Sequence, residues 1–217
     1  MMKIQFTILL LVTLAVSGCG YYTRTSDLNE YQTVITDPAR DTEFARCCNA
    51  AGVLLLKDDN FTEAEKEFKR ALSADVFFGP AHNNLGNVYY RQKQYYLAAW
   101  EFQYAVKLMP GQVEPLNNLG LVFEKVGRLN DAEEWYDKAL SLKPESTEVI
   151  GNLARIRIRS NRKDKTTQEL LSKIVMKDSR PEWISWAKEQ IAFTRETSSD
   201  NFMPKSDEIK TLSDEFK

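Results

Sequence analysis

GPAHNNLGNVYYRQKQYYLAAWEFQYAVKLMPGQ, residues 79–112, runs without a gap into VEPLNNLGLVFEKVGRLNDAEEWYDKALSLKPES, residues 113–146. Laid one over the other, the two stretches match at Leu85 and Leu119, Gly86 and Gly120, Tyr89 and Phe123, Ala98 and Ala132, Phe102 and Tyr136, Ala105 and Ala139, and Pro110 and Pro144. Each pair lies 34 residues apart. Gly52 extends the series one period toward the N terminus. A self-similar unit of this length is a helical hairpin that cannot bury its apolar face alone, so copies stack and present a binding groove rather than a reaction centre. The expected fold class is all-α: a right-handed solenoid of about three to four helix-turn-helix repeats plus a C-terminal capping helix.

The repeated residues have physical causes. Gly86 and Ala98, and their counterparts Gly52, Ala64, Gly120 and Ala132, stand where the two helices of a hairpin cross and larger side chains obstruct the approach. Ala71, Ala105 and Ala139 face the next hairpin. The aromatics fill the remaining space, each contributing about 1.5–3 kcal/mol when buried. Thr62-x-x-Glu65 reads as a capping box, and Asn130 and Asp164 as N-caps. Pro110 and Pro144 stop the second helix of their units. Pro181 suits a first helical position, and Trp183, Ile184, Ala187 and Ile191 recur at helical spacing behind it, as a capping helix requires.

This pattern resembles the tetratricopeptide repeat family over residues 43–195, with repeats at about 45–78, 79–112, 113–146 and a degenerate 147–180, then the capping helix 181–195. The first repeat has Val76 in place of the proline. The fourth has Ala154, Thr166 and Lys173 where small residues belong. The resemblance implies that the first helix of each repeat lines a concave groove, at positions that share one helical face. Here those positions carry Asn49, Asn83 and Asn117, then Asn84, Asn118 and Asn152, and a basic row of Lys57, Arg91, Lys125 and Arg159. Asn87 and Tyr90 join them in the second repeat, with Arg46 and Arg155 at the ends. A row of amides can pair with both the N–H and the C=O of an extended peptide, and the cations favour carboxylates. The same amides could instead satisfy the neighbouring helix and bind nothing. Glu114 stands where chaperone-binding relatives carry a basic residue of their carboxylate clamp. Trp183 and Trp186 read as capping residues, with ligand stacking as the alternative.

The N terminus reads differently. Lys3 precedes an apolar run, Phe6 to Val16, too short to span a bilayer. Small residues then lead to Cys19. This is a secretory signal pattern, residues 1–18, and Val16-Ser17-Gly18-Cys19 resembles the lipobox of bacterial lipoproteins. That resemblance implies cleavage before Cys19 and lipidation of its sulfur. Gly20 favours outer-membrane sorting with the chain facing the periplasm if the source is Gram-negative, and otherwise the extracytoplasmic face. Residues 19–41 form a polar tether, and 196–217 a disordered tail.

The remaining chemistry is sparse. A formal charge of -2 with 28% charged residues suggests no nucleic-acid partner. His82 is the only histidine and has no companion for a triad or a metal site, so it reads as a packing residue. Cys47 and Cys48 are adjacent; Cys48 reads as a small core residue and Cys47 as exposed. No phosphate-binding glycine loop is present. The expected function is a non-enzymatic, membrane-anchored adaptor with no cofactor and no metal. It binds a protein or extended peptide, with acidic or carboxylate groups, in assembly of an envelope complex. The alternative is an accessory subunit or regulator of a cell-envelope enzyme.

Overall fold

The computed structural model describes residues 40–199, with side chains as far as Thr194. The expected signal peptide, Cys19, nearly all of the expected tether, and the tail from residue 200 lie outside the described residues. Within them every regular element is a helix: α1 (Thr42–Lys57), α2 (Phe61–Ala74), α3 (Gly79–Arg91), α4 (Tyr95–Leu108), α5 (Val113–Lys125), α6 (Leu129–Leu142), α7 (Thr147–Arg159), α8 (Lys165–Lys177) and α9 (Pro181–Ser199). The fold is an all-α helical repeat. It divides into two compact units, one up to Val126 and one from Gly127.

In the first unit α1 packs on α2 and α3 on α4, while α2 meets α3 and α4 meets α5. The first helices of the hairpins, α1, α3 and α5, also neighbour one another. Their closeness depends on the repeated glycines. A Cβ on Gly52 would stand 2.6 Å from the Phe68 ring, and one on Gly86 2.7 Å from Phe102. Both rings are buried, as are Ala64, Ala71, Ala98 and Ala105. In the second unit α7 packs on α6 and α8, and α9 on α8.

The turn inside each hairpin holds one left-handed residue: Asp59 (φ 55), Lys93 (φ 63), Gly127 (φ 79) and Asn161 (φ 57). They are 34 residues apart, like the core positions. Asp and Asn tolerate this conformation; Lys93 does so at some cost, because its Cβ crowds the backbone.

Several sequence expectations change. Thr62 does not cap α2: the N-cap is Asn60, whose side chain accepts from Glu63 N. Asn130 does not cap α6, which starts after Arg128; Asn130 lies within it and accepts from Arg162 at 3.1 Å. Asp164 does cap α8, accepting from Thr167 N at 3.0 Å. α2 ends at Ala74 without a proline, in register with the ends of α4 and α6 at Leu108 and Leu142, so the proline is not what ends the helix there. α9 continues to Ser199, past residue 195.

The fourth repeat is less degenerate than its register suggests. Continuing the 34-residue spacing puts its core at Thr166, Leu170 and Lys173. The buried residues are Thr167, Leu170, Leu171 and Ile174, at 1%, 7%, 0% and 0% exposure. Thr167, Leu171 and Ile174 are the earlier pattern moved on by one residue. A longer turn between α7 and α8 absorbs the shift. Ala154, fully buried, stands where the other repeats have glycine.

Candidate functional site

The amide rows form a clasp between hairpins. Asn84 donates from Nδ2 to Asn49 Oδ1 at 2.9 Å, and Asn118 donates to Asn83 Oδ1 at 3.0 Å. Each bond runs from the sixth position of one repeat to the fifth position of the repeat before it, across α1–α3 and then α3–α5. All four residues are half-buried. Asn117 and Asn152 are almost inaccessible, at 4% and 5% exposure. The expectation that every amide faces a ligand therefore fails at these two. The other four meet the neighbouring helix first, and what they offer outward is the remaining N–H and lone pair of each amide.

Beside this clasp a pocket of about 190 Å³ is lined by Asn87, Tyr90, Arg91, Phe102, Asn118 and Leu121. Phe102, which fills the space left by Gly86, is its apolar floor. Asn87, Tyr90 and Arg91 come from α3, and Asn118 and Leu121 from α5. A cavity of about 150 Å³ admits a benzene-sized ring, so this one has room for a single large side chain with amides at its edge. Asn87, Tyr90, Arg91 and Asn118 were legible as groove residues. Leu121 and Phe102 were missed, although Leu121 lies 34 residues after Asn87 and so occupies the same groove position.

The basic row is not uniform. The Arg91 guanidinium bridges Asp59 at 2.8 Å and lies 5.8 Å from the Phe61 ring centre. Lys57, Lys125 and Arg159 are exposed. Arg46 pairs with Glu43 on its own helix. Arg155 is half-buried, 5.4 Å from the centre of the Trp183 ring.

Two buried polar groups hold the first unit's frame. Asp75, with its side chain fully covered, accepts from Arg40 Nε and Thr42 Oγ1, both at 2.8 Å, and from Phe77 N at 3.0 Å. Burial alone raises its pKa, but these donors together outweigh burial and hold the carboxyl below its usual range. His82 is 6% exposed, with Nδ1 2.6 Å from Glu101 Oε2 and Nε2 2.9 Å from the Val76 carbonyl. Burial disfavours its charge, yet the two acceptors prevail and raise its pKa above that of free histidine. Only the imidazolium can donate to both at once. His82 is thus a core residue, as expected, in packing that favours its charged form. Cys48 is a fully buried thiol, as expected; Cys47 is half-buried rather than exposed.

In the second unit Trp183 covers Gly151, where a Cβ would stand 2.8 Å from the ring. With Trp186, Arg155 and Glu182 it lines a recess of about 210 Å³. Trp183 is thus a packing residue of the cap. In the same unit Arg157, almost buried, pairs with Glu133, with Asp164 at 2.7 Å and with Thr167 Oγ1 at 3.0 Å. Arg162 holds the other Glu133 oxygen at 2.6 Å. No group of three His, Cys, Asp or Glu side chains among the described residues is arranged to hold a metal ion. No described helix is long and apolar enough to cross a membrane.

Stacked hairpins in a 34-residue register with small residues at the crossings define a helical-repeat protein. Residues 49–113 and 113–146 match family models described as the tetratricopeptide repeat. The chain is 34% identical over 71 residues to the uncharacterized protein ycf37 of Pyropia yezoensis, a match spanning 33% of this chain and 40% of that relative. The chain thus covers less than half the length of the curated relative it matches. Solved structures share the fold at low identity. PilF of Pseudomonas aeruginosa superposes with a TM-score of 0.60 and 20% identity, over 82% of this chain and 83% of that one. YrrB, described as a tetratricopeptide protein with an unusual peptide-binding site, gives 0.59 and 19%, over 70% and 78%. The first repeat domain of Spaghetti (RPAP3), bound to an HSP90 peptide, gives 0.56 and 21%, over 57% and 98%.

Proposed function

We propose that this chain is a non-catalytic adaptor, held at a membrane by lipid on Cys19, that takes an extended segment of a partner protein in the groove of α3 and α5. The observation that carries the reading is the pocket beside Phe102, whose lining combines apolar Leu121 with the side chains of Asn87 and Asn118. An apolar cup edged with donors and acceptors suits one side chain and the adjoining main chain of a peptide. The neighbours described as peptide-binding share this fold and support the class of ligand. Exposed Lys57 and Lys125 favour carboxylates in that segment. Glu114 speaks against the clamp arrangement of chaperone-binding repeats. With a lipid anchor and a tether of some twenty residues (20–39, since Arg40 and Asp41 are bonded into the fold), the groove would work at raised local concentration, in assembly of an envelope complex on the periplasmic or extracytoplasmic side.

The experiment is affinity purification of the full chain from detergent-extracted membranes, native against Asn87→Arg/Leu121→Glu. Asn87→Arg crowds the pocket with a longer side chain, and Leu121→Glu places a charge on its apolar lining. A partner retained by the native chain and lost from the variant supports the reading; equal recovery from both rules the pocket out. Cys19→Ser tests the anchor separately. It should move the chain out of the sedimented membrane fraction.

A further inference from the structure

The outward face of α4 breaks the pattern of its own repeat. In register, α2 carries Thr62, Glu63, Lys66 and Arg70, and α6 carries Asn130, Asp131, Glu134 and Lys138. These are the polar residues expected of a solvated helix face. At the same four positions α4 carries Tyr96, Leu97, Trp100 and Tyr104, exposed by 88%, 50%, 60% and 39%. They lie within one stripe of the helix, on the side away from buried Ala98, Phe102 and Ala105. No carboxylate stands among the exposed residues of α4; the others there are Gln103 and Lys107, with exposed Lys93 just before the helix. Lys107 Nζ lies 5.5 Å from the Tyr104 ring centre.

The apolar surface does not end with α4. Trp100 meets Tyr104 at 5.7 Å between ring centres, and Tyr104 stacks on His82 at 5.2 Å. His82 holds the Val76 carbonyl, and Val76 and Phe77 are each 57% exposed. Phe77 in turn lies 5.3 Å from the Arg40 guanidinium. Arg40 is the first described residue, so the segment that carries Cys19 joins the fold at the edge of this surface.

We infer that the Tyr96–Leu97–Trp100–Tyr104 face of α4, continued by Val76 and Phe77, rests on a lipid bilayer surface. Tyrosine and tryptophan concentrate at the membrane–water boundary, because each has an apolar ring and a polar atom that stays hydrated. Lys93 and Lys107 at the two ends of the stripe match anionic headgroups. The inference rests on the membrane location of the proposed function and deepens it by fixing an orientation. Phe102, on the opposite side of α4, floors the groove pocket. With the aromatic face on lipid, the groove opens away from the membrane, toward partners.

The test mixes the purified full chain with vesicles of phosphatidylethanolamine and phosphatidylglycerol whose acyl chains are brominated. Sedimentation reads attachment. The emission of Trp100, taken as the difference between native chain and Trp100→Phe, reads contact with lipid. The expected result is attachment with loss of most of the Trp100 emission. Tyr96→Asn/Leu97→Asp, which installs the residues of α6 in the same register, should restore it while helicity stays unchanged. Attachment with Trp100 unquenched overturns the lipid-facing surface and leaves the anchor standing. No attachment at all overturns the membrane location together with it. A dimer in light scattering that Tyr96→Asn/Leu97→Asp dissolves, with Trp100 unquenched on vesicles, assigns the face to a second copy and also overturns the inference.

Discussion

Asn84 and Asn49, 35 residues apart in sequence, are joined by a 2.9 Å hydrogen bond between their side-chain amides. The same bond recurs between Asn118 and Asn83 one repeat later. An amide row that looks like a ligand ladder is first a clasp between successive helices of the groove wall.

Asn84→Ala should therefore lower stability, by about 1 kcal/mol, because it leaves the half-buried Asn49 oxygen without its donor. A double-mutant cycle with Asn49→Ala in urea unfolding should return a coupling energy of about 0.5–1.5 kcal/mol. Strictly additive losses would contradict the clasp. Loss of partner capture in Asn→Ala variants cannot be credited to lost ligand contacts unless stability has been measured beside it.

Gly86→Ala should destabilise by about 1–3 kcal/mol through overpacking, because the new methyl would stand 2.7 Å from the Phe102 ring. Phe102→Leu in the same chain should recover part of that loss. Thermal melts of the two single variants and the double variant check it: a double loss equal to the sum of the singles would show that the ring is not the obstruction.

His82 makes the first unit pH-sensitive. Its folded pKa is raised, so its contribution is fully present below the unfolded value of about 6.5 and is lost as pH rises through the folded pKa. Above that, one ring nitrogen faces an acceptor without a proton to offer. Urea midpoints of native chain and His82→Gln should converge as pH rises above neutrality. Parallel curves across that range would show that the imidazolium is not held. Asp75 works in the opposite direction: its lowered pKa contributes stability above the unfolded carboxylate value and loses it as pH falls through the folded one.

Arg157→Ala should be the most damaging of the charge-removing substitutions in the second unit. It removes one of two cations from Glu133, which is 7% exposed, and breaks the tie to the cap of α8. Stripping a partner from a buried ion pair costs about 3–5 kcal/mol, with Arg162 offsetting part. Denaturant unfolding compared with Lys165→Ala, a fully solvated control, measures it.

The repeat architecture was legible because its causes are local and repeated: Gly52, Gly86 and Gly120 recur at a fixed period, and small residues permit helix crossing wherever they stand. What the spacing could not show was slippage. The turn between α7 and α8 has five residues where the other hairpins have three, and the core moves by one, from Thr166 and Lys173 to Thr167 and Ile174, a shift that a fixed period cannot register. The caps were misread for a related reason. Thr62 and Asn130 are good capping residues in themselves, but α2 and α6 start earlier, where the turns bearing Asp59 and Gly127 release the chain. The groove was half-legible. Residue type gave the row of asparagines, while their pairing depends on the offset between neighbouring helices, which no single repeat encodes. The aromatic face of α4 was visible in the sequence all along, yet only a comparison of outward positions between repeats separates it from core aromatics.

The central claim is that the pocket beside Phe102 receives a segment of another protein. The most direct measurement replaces Tyr90 with a photoreactive benzoylphenylalanine in the full chain, irradiates intact cells of the source organism, and resolves the adducts by mass. A discrete adduct to a second protein, abolished by Asn87→Arg/Leu121→Glu in the same chain, is the predicted result. No protein adduct from position 90, or one that persists in that variant, would contradict the account.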